Sequence, residues 1–248
     1  MVYIQIENVK KEFKNKNNSI KVLDGISFGI RKGEFITIFG PNGCGKTTLL
    51  KILSNFDNDY SGKIKINKYL INKIKSYIVF QNPNDSLFNW MTVKENIELG
   101  LFNIKLKSVF YQIYVGGKRF SEFKNFYPYQ LSAGLKQLTV ISRAFVYNPN
   151  LLLLDEPFSS IDYKTSLEFE DLLLKIWRKT KQTIIFVSHN IDEAIYLADK
   201  VIIFSNPPTK IKKIINIKLS RPRNQKIKYS LEFQKIKREI LECFYENE

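Results

Sequence analysis

Near its start the chain alternates apolar and polar residues in three short runs, Val2 to Val9, Ile26 to Ile30 and Glu34 to Phe39. Period-two alternation predicts strands. Asp24-Gly25 and Lys32-Gly33 supply the turns between them. The third run leads into GPNGCGKTT, behind which TTLLKILS has helical spacing, so strand, glycine-rich loop and helix follow in one unit. SGKIKIN and KSYIVFQ read as further strands, while 92 to 127 is aromatic-rich and weakly patterned, which predicts a small helical lobe.

From Leu131 the pattern sharpens. A helix is predicted from Ala133 to Tyr147, a buried strand at LLLL (151 to 154), a helix from Tyr163 to Lys179 and a strand at TIIFVS (183 to 188). The helix IDEAIYLAD, the strand KVIIF and a surface helix from Leu231 to Tyr245 complete the chain. Strands alternating with helices predict an α/β fold with a mostly parallel sheet covered on both faces, joined by an antiparallel β part and the helical lobe. The expected organisation is one domain over 1–248, with its core at 1–82 and 131–225, the lobe at 83–130 and a C-terminal helix at 230–246.

Composition narrows the class. With 248 residues, 44% hydrophobic and 25% charged, the chain has enough apolar surface for one large core and a smaller lobe, and disorder is excluded as the main state. No run approaches the roughly 20 apolar residues of a membrane helix. The opening MVYIQIENVKKEF lacks the basic start, apolar centre and cleavage site of a signal peptide, so a cytoplasmic chain is expected. Its two cysteines, Cys44 and Cys243, are too few for a disulfide scaffold. The net charge of +15 suits nucleic acid or an anionic membrane, but it also follows from a Lys, Asn and Ile bias. KEFKNKNNSIK, IKINKYLINKIK and KIKKIINIK spread that bias along the chain, so no nucleic-acid partner is expected.

The loop GPNGCGKT satisfies the phosphate-loop pattern G-x-x-x-x-G-K-[ST], with a strand before it and a helix after it. Its backbone N–H groups would face phosphate oxygens, Lys46 would reach the terminal phosphates and the Thr47 hydroxyl would hold magnesium. Gly40, Pro41, Asn42, Gly43, Cys44, Gly45, Lys46, Thr47 and Thr48 are therefore the candidate nucleotide-binding residues. Cys44 admits two readings, a redox switch or a small side chain filling a tight position.

LLLLDEP at 151 to 157 places two carboxylates at the end of a buried strand. Sheets of this kind put their sites beyond the carboxyl ends of strands. Asp155 would approach magnesium through water and Glu156 would polarise the attacking water as general base. His189, the single histidine, ends TIIFVS and would reach the terminal phosphate or that water. Gln81, at the end of KSYIVFQ, is a candidate for either magnesium or the water.

The segment LSAGLKQ at 131 to 137 lies between Gln81 and Asp155. With it, the order phosphate loop, Gln, LSxG, hydrophobic-DE, SSID and His resembles the nucleotide-binding domain of an ABC ATPase over nearly the whole chain. The resemblance implies that Ser132 and Gly134 contact the terminal phosphate held by a second ATPase subunit. It also makes Ser159, Ser160 and Asp162 the dimer-interface loop and Phe13 the aromatic that stacks on adenine.

FQNPNDSLFNWMTVKENIELGL, YPYQLSAGLKQ, DEPFSSID, SHNIDEAIYLADKVIIF and LSRPR further resemble the ATPases of the nitrate, sulfonate and taurine importers. Ala133 departs from the glycine usual in the signature, Leu138 departs from an arginine, and the stretch between Leu101 and Tyr127 is short. The resemblance implies a homodimer at the cytoplasmic face of the membrane, gripping a transmembrane permease and serving an extracytoplasmic solute-binding protein indirectly. Phe88 and Trp90 are open to two fates, anchors for the permease or side chains of the lobe's own core.

Overall fold

The computed structural model describes residues 2–14, 18–66, 69–70, 75–100 and 122–246. In chain order the elements are β1 (Ile4–Lys14), β2 (Ser19–Ile30), β3 (Phe35–Phe39), α1 (Lys46–Leu53), β4 (Ser61–Ile66), β5 (Tyr69–Leu70), β6 (Ser76–Val79) and α2 (Val93–Glu98). They continue with α3 (Ala133–Tyr147), β7 (Leu151–Asp155), α4 (Tyr163–Thr180), β8 (Thr183–Ser188), α5 (Ile191–Leu197), β9 (Lys200–Phe204), β10 (Ile211–Asn216) and α6 (Leu231–Tyr245).

Among the described residues two sheets form, one antiparallel in the order β2-β1-β4-β5 and one in the order β10-β9-β3-β8-β7-β6. In the second sheet all pairs are parallel except β10 with β9. The continuous apolar strands are explained by burial on both faces. Phe35, Leu152, Leu154, Ile184, Phe186, Val201 and Ile203 join the core that includes α3, α4, α5 and α6. Their neighbours Ile36, Ile38, Leu151, Leu153, Ile185, Val187 and Ile202 join a second core with α1 and the antiparallel sheet. Alternate residues of each strand thus serve opposite cores.

Helix starts follow from local chemistry. Ser132 caps α3 and Asp162 caps α4, where its Oδ1 accepts from Thr165 N at 3.0 Å; Asn190 and Ser230 cap α5 and α6. Thr92 and Glu95 form a capping box on α2.

Some boundaries differ from the sequence pattern. β1 runs to Lys14 through irregular pairing around Asn8, whose φ is +50°, and the polar residues of its far end hide the alternation. β10 lies within KIKKIINIK, and as an edge strand it buries only Ile215, so its apolar pattern is weak. Of the predicted lobe, 101–121 lies outside the described residues.

The described part of that region is tied to α3 by a buried polar knot. Asn96 Nδ2 donates to Phe88 O at 3.1 Å and Met91 O at 3.0 Å, and its Oδ1 accepts from Phe88 N at 3.0 Å. Arg143 of α3 donates to Asn96 Oδ1 at 3.4 Å, Ser86 O at 2.6 Å and Tyr77 Oη at 2.9 Å. Phe88 and Trp90 pack edge to face at 5.2 Å, and Trp90 is 72% exposed. The second of the two fates, burial within the lobe, does not hold for Trp90.

At the start of α5, Glu193 is buried and accepts the Ser188 hydroxyl. Burial, aided by the charges of Glu170 and Glu156 and opposed by Ser188 and Lys228, raises its pKa from 4.5 to about 8. Between those values the folded chain holds a proton that the unfolded chain has released, so stability falls as pH rises through that window. The expected outcome is that wild type loses more unfolding free energy in urea between pH 6 and pH 9 than Glu193→Gln does. Equal slopes for the two proteins would mean that Glu193 is ionised in the fold throughout.

Candidate active site

Residues 40–45 turn from β3 into α1. Gly45 has φ +93°, and a Cβ there would lie 2.6 Å from Val22 Cγ1 and 3.0 Å from Leu23 Cδ2, so both conformation and space require glycine. Gly43 also has a positive φ, of +76°, but faces open space, and the adjoining Asn42 is exposed. Cys44 is buried in the core shared with α1, and burial pushes its thiol pKa up. A buried, protonated thiol suits the space-filling reading and not the redox switch.

Lys46 Nζ donates to Gly40 O at 2.8 Å and Pro41 O at 2.9 Å and lies 3.7 Å from Glu156 Oε1. The loop therefore holds a buried ammonium beside a carboxylate. Thr47 Oγ1 donates to Asp155 Oδ2 at 2.8 Å. Burial raises the Asp155 pKa, and the hydrogen bond from Thr47 works against that shift. Thr48 follows in the first turn of α1, half-buried.

Glu156 and His189 meet across the ends of β7 and β8, with Glu156 Oε2 and His189 Nδ1 at 2.8 Å. The Glu156 backbone has φ +44° and is held by its N–H bond to Val187 O at 3.1 Å. Ser159 Oγ donates to Glu156 O at 2.9 Å and accepts from Gln81 Nε2 at 3.1 Å. Gln81 is thus joined to Glu156 through Ser159, a link that the pattern DEPFSSID contains but does not reveal.

Ser132 Oγ accepts from Leu135 N at 3.4 Å, and Ala133 is the first helical residue of α3. A Cβ on Gly134 would sit 3.5 Å from Thr165 Cγ2 and 3.6 Å from Ile161 Cγ2, ordinary contacts, so nothing among the described residues requires glycine there. Ser132, Gly134, Ser160 and Asp162 line a cleft of about 320 Å³. Among the described residues neither Ser132 nor Gly134 bonds to the loop 40–47. Phe13, 48% exposed, lies with Lys11 Nζ 4.9 Å from its ring centre and borders a separate groove of about 690 Å³. Lys11 itself is buried against Asp57 at 3.0 Å and Asp59 at 3.2 Å.

The arrangement is a phosphate loop with a cation, a hydroxyl–carboxylate pair of hard oxygens and a carboxylate–imidazole pair, all at one end of a parallel sheet. Comparison with known proteins agrees with that chemistry. Residues 23–159 match the family model described as ABC transporter. The chain is 42% identical over 243 residues to an aliphatic sulfonates import ATP-binding protein of Bacillus cereus, covering 97% of this chain and 95% of that protein. It is 38% identical to the protein of the same name from Bacillus subtilis, covering 99% and 95%. Among solved structures, the dimeric MJ0796, a bacterial ABC transporter cassette, superposes with a TM-score of 0.73 at 28% identity, over 88% of this chain and 100% of that one. With a family match over more than half its length and relatives this close over nearly all of it, the chain belongs to the ABC transporter family and is one of its ATPases.

Proposed function

We propose that this chain is the ATP-hydrolysing subunit of an importer whose solute is an aliphatic sulfonate. The observation that carries the hydrolytic reading is the meeting of Lys46, Glu156 and His189 beside the Thr47–Asp155 pair. The solute class rests on the relatives, which are named for import of aliphatic sulfonates.

In this reading the N–H groups of 40–48 and the Lys46 ammonium bind the ATP phosphates, with phosphate oxygens replacing the Gly40 and Pro41 carbonyls as partners of Nζ. Thr47 and Asp155, hard oxygen donors 2.8 Å apart, fit magnesium, with Gln81 as a third donor; the ion would neutralise phosphate charge. Glu156 takes a proton from the attacking water, and His189 fixes the carboxylate's orientation through the 2.8 Å contact. Positioning and electrostatics supply most of the catalysis in phosphoryl transfer. Phe13 stacks on adenine.

Two copies close head to tail, so that Ser132 and Gly134 of one face the terminal phosphate on the other. Support comes from Gly134, where a Cβ would make only ordinary contacts among the described residues, and from the dimeric relative. The permease docks against the exposed aromatics Phe88, Trp90 and Phe126, placing the dimer at the cytoplasmic face of the membrane. No helix among the described residues is long and apolar enough to cross a bilayer.

Glu156→Gln is expected to keep ATP binding while steady-state hydrolysis falls by roughly 10²–10⁴. Turnover within about a factor of two of wild type would remove Glu156 from the role of base.

Ala133 occupies the first turn of α3, where alanine is a good helix former, so Ala133→Gly is expected to change hydrolysis by less than about threefold. Ser132→Arg is expected to abolish the ATP-dependent dimer, read by size exclusion in the Glu156→Gln background. A dimer that persists with arginine at 132 would place the interface elsewhere.

A further inference from the structure

Thr209 lies in the turn between β9 and β10 and is wholly buried. Its backbone is strapped to β2, with Thr209 N donating to Val22 O at 2.9 Å and Asp24 N donating to Thr209 O at 2.8 Å. Lys210, the next residue, pairs with Asp24 at 3.4 Å. The turn is therefore fixed to β2 through both backbone groups of Thr209. Its one side-chain hydroxyl reaches into the phosphate loop and donates to the carbonyl of Cys44.

That carbonyl belongs to the same planar trans peptide as the N–H of Gly45, so the two groups point in opposite directions. Tying the oxygen to the interior turns the N–H outward. The peptide is flanked by the φ torsion of Gly45, at +93°. Glycine populates both signs of φ at little cost, so the Cys44–Gly45 peptide has little intrinsic resistance to flipping and needs an external lock. The side chain of Cys44 packs into the core beneath. Val22 and Leu23, which confine Gly45 from the side, stand on the same strand that holds Thr209.

We propose that Thr209 is a positioning residue for nucleotide binding. Its hydroxyl locks the Cys44–Gly45 peptide with the Gly45 N–H presented to the phosphates. The inference rests on the reading of 40–48 as the phosphate site. Thr209 touches neither ATP nor the water, and it acts through the loop alone. A sequence pattern for the loop does not contain it, since it lies 165 residues from Cys44.

Thr209→Val keeps the shape and branching of the side chain and removes the donor, while Thr209→Ser keeps the donor and removes the methyl group. Steady-state ATPase kinetics and titration with ADP, which is not hydrolysed, test the two variants beside wild type and Lys46→Ala. The expected result for valine is a rise of about tenfold in KM for ATP and Kd for ADP, the scale of one charge-assisted hydrogen bond, with kcat within about twofold of wild type. Serine is expected to restore both constants to within about threefold of wild type.

A folded valine variant with unchanged KM and Kd overturns the inference, and so does a serine variant as impaired as valine, which would assign the effect to methyl packing. If valine does not fold, Thr209→Ala takes its place on the same measurements and is held to the same result. Lys46→Ala is expected to lose ADP affinity. Unchanged affinity in that variant would overturn the phosphate-loop reading itself, whereas lost affinity there with a silent Thr209→Val would overturn only the role of Thr209.

Discussion

The structure depends on one constraint, the register of the parallel sheet at the carboxyl ends of its strands. Phe39 pairs with Ser188 and Ile203, and Asp155 pairs with Val187, so β3, β7, β8 and β9 end at nearly one level. Neighbouring strands stand about 4.8 Å apart. The first residues beyond them therefore fall within hydrogen-bonding reach. Lys46, Glu156 and His189 meet because hydrophobic burial on both sheet faces holds the register from which their loops leave. A slip of one residue would send every strand side chain into the wrong core.

Charge is buried at this end of the sheet and is compensated locally. Lys46 satisfies its ammonium with two carbonyls of its own loop and the Glu156 carboxylate, all groups that a phosphate can replace. Asp155 is desolvated but keeps the Thr47 hydroxyl. Glu156 adopts a left-handed backbone conformation, a cost of about 1–3 kcal/mol for a non-glycine residue. The bonds from its N–H to Val187 and from Ser159 to its carbonyl hold it there. Strain at such a position fits a carboxylate aimed by its backbone toward His189.

Helix α3 connects two ends of the molecule. Its first turn presents Ser132 and Ala133, and further along the same helix Arg143 grips the segment that carries Phe88 and Trp90. Asn96 completes that grip, and Tyr77 of β6 anchors it to the sheet. Gln81, just beyond β6, reaches Glu156 through Ser159. The exposed aromatic segment is thus mechanically continuous with both the first turn of α3 and the Glu156 carboxylate. The Asn96–Arg143 part of this connection is buried and paired, which adds rigidity to the apolar packing around it.

The sequence by itself determined the fold class, most elements and the family. LLLL at 151–154 and TIIFVS at 183–188 are legible because strands buried on both faces must be apolar throughout, and the α3 and α6 boundaries follow from capping and helical spacing. GPNGCGKT and the DE pair are legible because phosphate chemistry demands particular residue types at fixed spacing. Other features were decided only by the tertiary structure. β10 escaped notice because an edge strand buries too few residues to leave a pattern. The direction of the Gln81 amide, the pairing of Glu156 with His189, the raised pKa of Glu193 and the hold of Thr209 on Cys44 all join residues distant in the chain. The physical reason is common to them: a local pattern records which face of an element is buried, whereas a hydrogen bond between distant segments exists only once sheet register and two packed cores have fixed both partners in space.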